Sequence, residues 1–61
     1  MKYTLQDNPE LYEISLDGWN AGFRYIHYQK IIKNLYDKDS IEYDAWKDGY
    51  DSYLRYFHNE D

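Results

Sequence analysis

The chain spells nearly the same twelve letters twice: residues 17–28 read DGWNAGFRYIHY and residues 48–59 read DGYDSYLRYFHN, at an offset of 31 positions. Asp17, Gly18, Arg24, Tyr25 and His27 recur as Asp48, Gly49, Arg55, Tyr56 and His58. Trp19 with Tyr50, Asn20 with Asp51, Ala21 with Ser52, Phe23 with Leu54 and Ile26 with Phe57 are similar pairs, and upstream Tyr12 and Glu13 match Tyr43 and Asp44. A glycine in the middle of a helix costs about 1 kcal/mol relative to alanine. A glycine at equivalent positions of two helical copies therefore implies a gain, and the simplest gain is close approach of the helices. Gly18, Gly22 and Gly49 are accordingly expected to be helix-packing residues, with neighbouring aromatic rings lying over the gap.

The rest of the chain reads as the frame for that pair. Residues 1–8 form a lead-in, and DNPE starts a helix: Asn8 caps, Pro9 suits the first helical position, and Glu10 and Glu13 favour the positive pole of the dipole. At about 100° per residue, Leu11, Tyr12, Leu16, Gly18, Trp19, Gly22, Phe23 and Ile26 share one side of an amphipathic helix. The pattern slips after Tyr28, where Lys30 and Lys33 enter the apolar side. A kink or break near 28–30 is expected, followed by a short extra turn of helix, so the first helical segment spans 9–36. The second helix spans 40–58, with Asp39 and Glu42 as a capping box and Ser40 as the other cap candidate. Ile41, Ala45, Trp46, Gly49, Tyr53, Tyr56 and Phe57 form its apolar side, Asp51 and Arg55 are spaced to pair, and residues 59–61 fray. The expected fold is all-α, one small domain over 1–61: an antiparallel helical hairpin built from the internal repeat, its short connector making the helices antiparallel neighbours. In that arrangement His27 and His58 lie at opposite ends and share no metal ion.

A chain of 61 residues buries only about 60% of its unfolded surface, and one without cysteine has no disulfide to compensate. The aromatic share is 21%, with nine Tyr and two Trp. Rings of this kind build small cores and also dominate partner surfaces. Trp19, Tyr28, Tyr36, Tyr43, Trp46, Tyr50 and Tyr53 are the aromatic partner-binding candidates. Twelve acidic against seven basic residues leave a net charge of −5, which disfavours general phosphate-backbone binding. Asp44, Asp48 and Asp51 form an acidic stripe three to four residues apart, the acidic partner-binding candidate. It lacks the loop geometry of a calcium site.

No catalytic constellation is present in these letters. Gly18 and Gly22 lie in a helical pattern, not a phosphate-binding strand-to-helix turn. Ser15, Ser40 and Ser52 lack a nucleophile-elbow setting, and a two-helix hairpin offers little room for a pocket of the usual ~300 Å³ or more. No enzyme, no cofactor and no metal is expected. The start MKYTLQDNPE has no apolar signal region and no stretch approaches a membrane span, so a cytoplasmic location and no membrane partner are expected.

GWNAG at 18–22, then Tyr36, then WKDGY at 46–50 is similar to the pattern of ribosome modulation factor and its short relatives, which carry G-[YW]-x-A-G in one helix, a connector tyrosine and W-x-x-G-[WY] in the second. The match covers residues 17 to about 53, with a longer stretch between GWNAG and Tyr36 here. The resemblance implies a small α-helical hairpin, and a protein that binds the small ribosomal subunit and drives inactive ribosome dimers. The ribosome-binding factor is strongly basic, whereas this chain is acidic. Its loose cluster of Lys30, Lys33 and Lys38 is the candidate for phosphate contact.

The leading expectation is a non-enzymatic interaction module, in the style of small phage or regulatory proteins, that binds and modulates a protein target through an acidic, aromatic surface. The alternatives are a ribosome- or RNA-associated modulator, an inhibitor that mimics nucleic-acid charge, and a homodimer.

Overall fold

In the computed structural model, which describes residues 2–59, two helices pack against each other: α1, Pro9–Tyr28, and α2, Ile41–His58. The expected all-α architecture is observed, with no strand among the described residues. Met1, Glu60 and Asp61 lie outside the described residues, and with them most of the tail expected to fray.

Each helix end has a local cause. Asn8 occupies the N-cap of α1, but its side chain makes no capping hydrogen bond. The turn before it is held instead by Thr4, whose carbonyl accepts from the Asn8 N–H at 2.9 Å and whose hydroxyl accepts from the Asp7 N–H at 3.1 Å. Pro9 then supplies a preset helical φ where no N–H is needed. At the far end Gln29 adopts the left-handed conformation, φ 54° and ψ 35°. The Arg24 carbonyl accepts the N–H of both Gln29 and Lys30. That left-handed residue is the break expected near 28–30. The extra turn of helix expected after it does not form: residues 29–35 carry no regular structure, so the helical segment is 9–28, not 9–36. The apolar residues that suggested another turn are spent along an irregular connector.

The N-cap of α2 is Ser40 and not Asp39. The Ser40 hydroxyl accepts from the Tyr43 N–H at 3.1 Å and donates to the Asp37 carbonyl at 2.6 Å. A serine three residues before a free N–H closes this bond directly, and Glu42 and Asp44 follow in the first turn where the dipole favours them.

The sense of the pair corrects the sequence expectation: the helices run parallel. The Ser15 hydroxyl donates to the Ala45 carbonyl at 2.8 Å, Gly18 lies against Trp46 and Tyr50, Gly22 lies against Tyr50 and Tyr53, and His27 meets Tyr53 and Phe57. Numbers rise together along both helices, which only parallel packing allows. The connector makes this possible. With no extra helical turn it has 12 residues, 29–40, and a chain reaches at most ~3.3–3.6 Å per residue. It therefore spans the ~30 Å length of a 20-residue helix. Parallel packing also moves the histidines. His27 and His58 sit at the same end of the pair, each within ring contact of Phe57, at 5.6 and 6.0 Å.

The core is a seam of small side chains. Ser15, Gly18, Ala21 and Gly22 are the buried residues of α1, and Ala45, Gly49 and Tyr53 those of α2. A Cβ on Gly18 would stand 2.8 Å from the Trp46 carbonyl carbon, and one on Gly49 would stand 2.6 Å from that of Ser15. Trp46 lies 31 residues after Ser15, and Gly49 lies 31 after Gly18, so the two close approaches are one contact made twice. The repeat is thus a pseudo-twofold whose axis runs along the helices. Large residues assigned to the apolar sides flank this seam: Ile41 is 54% exposed, Tyr56 52%, Phe57 40% and Phe23 39%.

Parallel helices place both positive dipole poles at one end. Glu10, Glu42 and Asp44 occupy the first turns there, and His27, Arg55 and His58 the last turns at the other end. This is the charge arrangement that offsets two aligned dipoles.

Candidate interaction surface

The body measures 30 × 23 × 14 Å. A helix with its side chains is ~10–12 Å across, so the pair is one layer thick and both sides of the seam face outward. Each side carries aromatic rings, and the two sets are unequal.

On the first side, Trp19 meets Tyr53 edge-on at 5.0 Å and Tyr56 at 5.6 Å. Phe23 joins at 5.8 Å from Tyr53 and 5.9 Å from Tyr28, and Phe57 packs edge-on to His27 at 5.6 Å. Tyr53 is the floor of this cluster. It is 5% exposed, with its hydroxyl 2.6 Å from His27 Nε2. That corrects its assignment as an exposed partner-binding ring: Gly22 has no side chain opposite it, and the ring fills the space. Tyr28 at 68% exposure is the most open ring of the face.

On the second side, Trp46 and Tyr50 stack at 5.3 Å with planes 14° apart, and Tyr25 approaches Tyr50 at 6.4 Å. Trp46 and Tyr50 are half-buried, and burial pushes the Tyr50 hydroxyl above its ordinary pKa, helped by Tyr25 and Asp51. Tyr43 is half-buried beside the connector, its carbonyl accepting from the Asn34 side chain at 3.1 Å, while Tyr36 lies exposed in the connector itself. The seven aromatic candidates therefore do not form one surface. Sequence reasoning placed Phe23, Tyr56 and Phe57 in the core. The signal against that was available in Ser15, Ala21 and the glycines, because a seam that narrow displaces large rings to its margins.

The acidic stripe is engaged by the chain itself. The lead-in lies along it: Lys2 Nζ is 2.7 Å from Asp44 Oδ2, the Lys2 N–H donates to Asp48 Oδ2 at 2.8 Å, and the Tyr3 hydroxyl donates to Asp44 Oδ2 at 2.8 Å. The Lys2 ammonium, then the Tyr3 hydroxyl, hold the Asp44 carboxyl below its ordinary pKa, and the same bonds raise Lys2 and Tyr3. Of the three acidic candidates, only Asp51 lies clear of the lead-in's bonds. Lys2–Asp44 is the one ion pair within 4.0 Å among the described residues, so the expected Asp51–Arg55 pair is not formed.

Lys30, Lys33 and Lys38 are all exposed on the connector. An open groove of about 410 Å³ lies between the helix N-termini, lined by Asp7, Asn8, Pro9, Glu10, Leu11, Ile41 and Glu42. Two helices thus leave more room than expected, because parallel packing brings both N-termini to one place. The groove's titratable groups are all carboxylates. Among the described residues no three His, Cys, Asp or Glu side chains converge as metal ligands, and no helix is long and apolar enough to cross a membrane. No family model, curated protein or solved structure was found to match the chain.

Proposed function

We propose that this chain is a non-enzymatic interaction module that binds and modulates a protein partner through the aromatic side built on Trp19, Phe23, Tyr28, Tyr56 and Phe57. The observation that carries this reading is an exposed, mutually braced ring cluster with a buried tyrosine beneath it. Aromatic rings held rigid by their neighbours lose little entropy on binding and dominate interface energetics. The partner surface is aromatic more than acidic, since Asp44 and Asp48 already have partners within the chain.

The test is affinity capture from lysate of the expressing cell with two surface variants. Phe23→Ala with Phe57→Ala removes rings from the proposed face, while Tyr25→Ala alters the opposite side. A specific partner retained by the wild type and by Tyr25→Ala, but lost by the double variant at unchanged helix content, supports the reading. Equal retention by all three overturns it.

A ribosome-associated role is a second reading, favoured by one observation: Lys30, Lys33 and Lys38 are exposed and outside any ion pair among the described residues. Co-sedimentation with ribosomes across a salt titration tests it, and absence of binding at low salt removes it.

A further inference from the structure

The connector carries no regular structure, yet it must run back along the full helix pair. His27 lies level with Phe57, and the Asn34 side chain reaches the Tyr43 carbonyl. Between Tyr28 and Asn34 the chain therefore returns along some fourteen residues of helix, ~21 Å at 1.5 Å per residue. Six residues at up to ~3.5 Å each cover that in an extended path, with the Asn34 side chain completing the reach. Exposure alternates as a strand's does: Ile31, Lys33 and Leu35 are exposed, Ile32 and Asn34 half-buried. Among the described residues, no hydrogen bond within the chain engages the backbone N–H or C=O groups of Ile31–Leu35. The segment is nevertheless pinned, at one end by the Lys30 N–H on the Arg24 carbonyl and at the other by Asn34, which also accepts from the Tyr36 N–H. Leu35 at 91% and Ile31 at 76% are the most exposed large apolar residues among the described residues.

We propose that residues 30–35 are a preformed edge that takes an extended, acidic and β-branched segment of a partner protein as an added strand. The open backbone supplies the ladder, as an unpaired sheet edge does. Ile31 and Leu35 supply apolar cross-strand contacts, and Lys30 and Lys33, with Lys38 beyond them, favour carboxylates on the incoming strand. A second copy of this chain would set the same lysines against each other. This edge is separate from the aromatic side, and the inference does not rest on that reading.

The test measures amide hydrogen exchange of the intact chain with a short synthetic peptide alternating Glu and Val, and with its Lys–Val counterpart. The Glu–Val peptide slows exchange at Ile31–Leu35 and binds at least roughly tenfold more tightly than the Lys–Val peptide, in line with the cost of like charges facing across strands. Lys30→Glu with Lys33→Glu, two exposed changes, reverses that preference. Unchanged exchange at saturating Glu–Val peptide overturns the inference, as does equal binding of both peptides. Concentration-dependent slowing without peptide assigns the edge to a second copy, and tighter slowing by a single-stranded oligonucleotide assigns the lysines to nucleic acid. Either of those outcomes also overturns it.

Discussion

The two sides of the helix pair are related by the repeat and differ most consequentially at one position of the seam. Trp19 and Tyr56 on the first side correspond to Tyr50 and Tyr25 on the second, 31 residues along in each case. Their ring pairs cross at 43° and 44°. The divergence lies in the seam, where Gly22 and its equivalent Tyr53 face each other, with a Cβ on Gly22 falling 3.2 Å from that of Tyr53. Two tyrosines there would collide, and two glycines would leave a void whose lining loses packing contacts. One of each fills the space, and it tips the ring toward Trp19, Phe23 and His27. The first side thereby gains a buried aromatic floor, while the equivalents of its Phe23 and Phe57 are the half-buried Leu54 and Ile26. Symmetry sets how close the helices come. The broken position makes one side different from the other.

The symmetric half of that comparison breaks first. Gly18→Ala and Gly49→Ala each drive a methyl into the partner helix's backbone, where nothing flexible can yield. Overpacking of this kind costs about 1–3 kcal/mol or more, a large share of the stability of so small a domain. Both variants should lose a cooperative thermal transition or melt far below wild type, by similar amounts. A large difference between them would refute the pseudo-twofold. Gly22→Ala meets the Tyr50 carbonyl oxygen and the Tyr53 side chain, neither nearer than 3.2 Å, and should be milder than either.

The asymmetric half is tested by Tyr53→Ala, which empties the seam and should cost about 3 kcal/mol or more in chemical denaturation. Tyr53→Phe keeps the ring and removes the hydroxyl that meets His27, for about 1 kcal/mol. If Tyr53→Phe were as damaging as Tyr53→Ala, the hydrogen bond and not the filled space would explain the difference between the sides.

A smaller effect of opposite sign belongs to Gln29. Glycine takes left-handed φ without the penalty glutamine bears, so Gln29→Gly should stabilise the pair by up to about 1 kcal/mol in the same measurement.

The smallest effect concerns the lead-in, which α2 holds and α1 does not. Asp44 has its folded pKa lowered from 3.8. Its contribution is therefore present above that value and lost as pH falls through the lowered pKa. Lys2 and Tyr3 are raised from 10.5 and 10.0, so theirs is present at neutral pH and lost as pH rises through the raised values. Nuclear magnetic resonance contacts between the Tyr3 ring and α2 should persist at neutral pH and fade at both extremes, with little change in global stability because the bonds are exposed. Contacts that survive strong acid would show that the carboxylate is not what holds the segment.

Much of the frame was legible from the letters. Pro9, the serine before Ile41 and the mid-helix glycines each have a local reason to be where they are, and those reasons operate without tertiary context. The site was less legible. The wheel put Trp19, Phe23 and Ile26 on one side with Gly18 and Gly22 but left out Ser15 and Ala21, which are buried in the seam because they are small. The docking of Lys2 and Tyr3 on Asp44 and Asp48 joins residues more than 40 positions apart, and no periodicity reports such a pairing.

By itself, the sequence determined that there are two helices, that they are copies, and that glycine marks where they touch. The direction in which they meet was decided only in three dimensions. A helical stripe reads the same upward and downward, and a repeat is compatible with a twofold axis across the helices or along them. The parallel choice depends on a non-local fit: Gly18 against Trp46, Gly49 against Ser15, and one tyrosine in the space left by Gly22. It also required residues 30–35 to give up helix and run extended, a local loss that only the completed seam can offset.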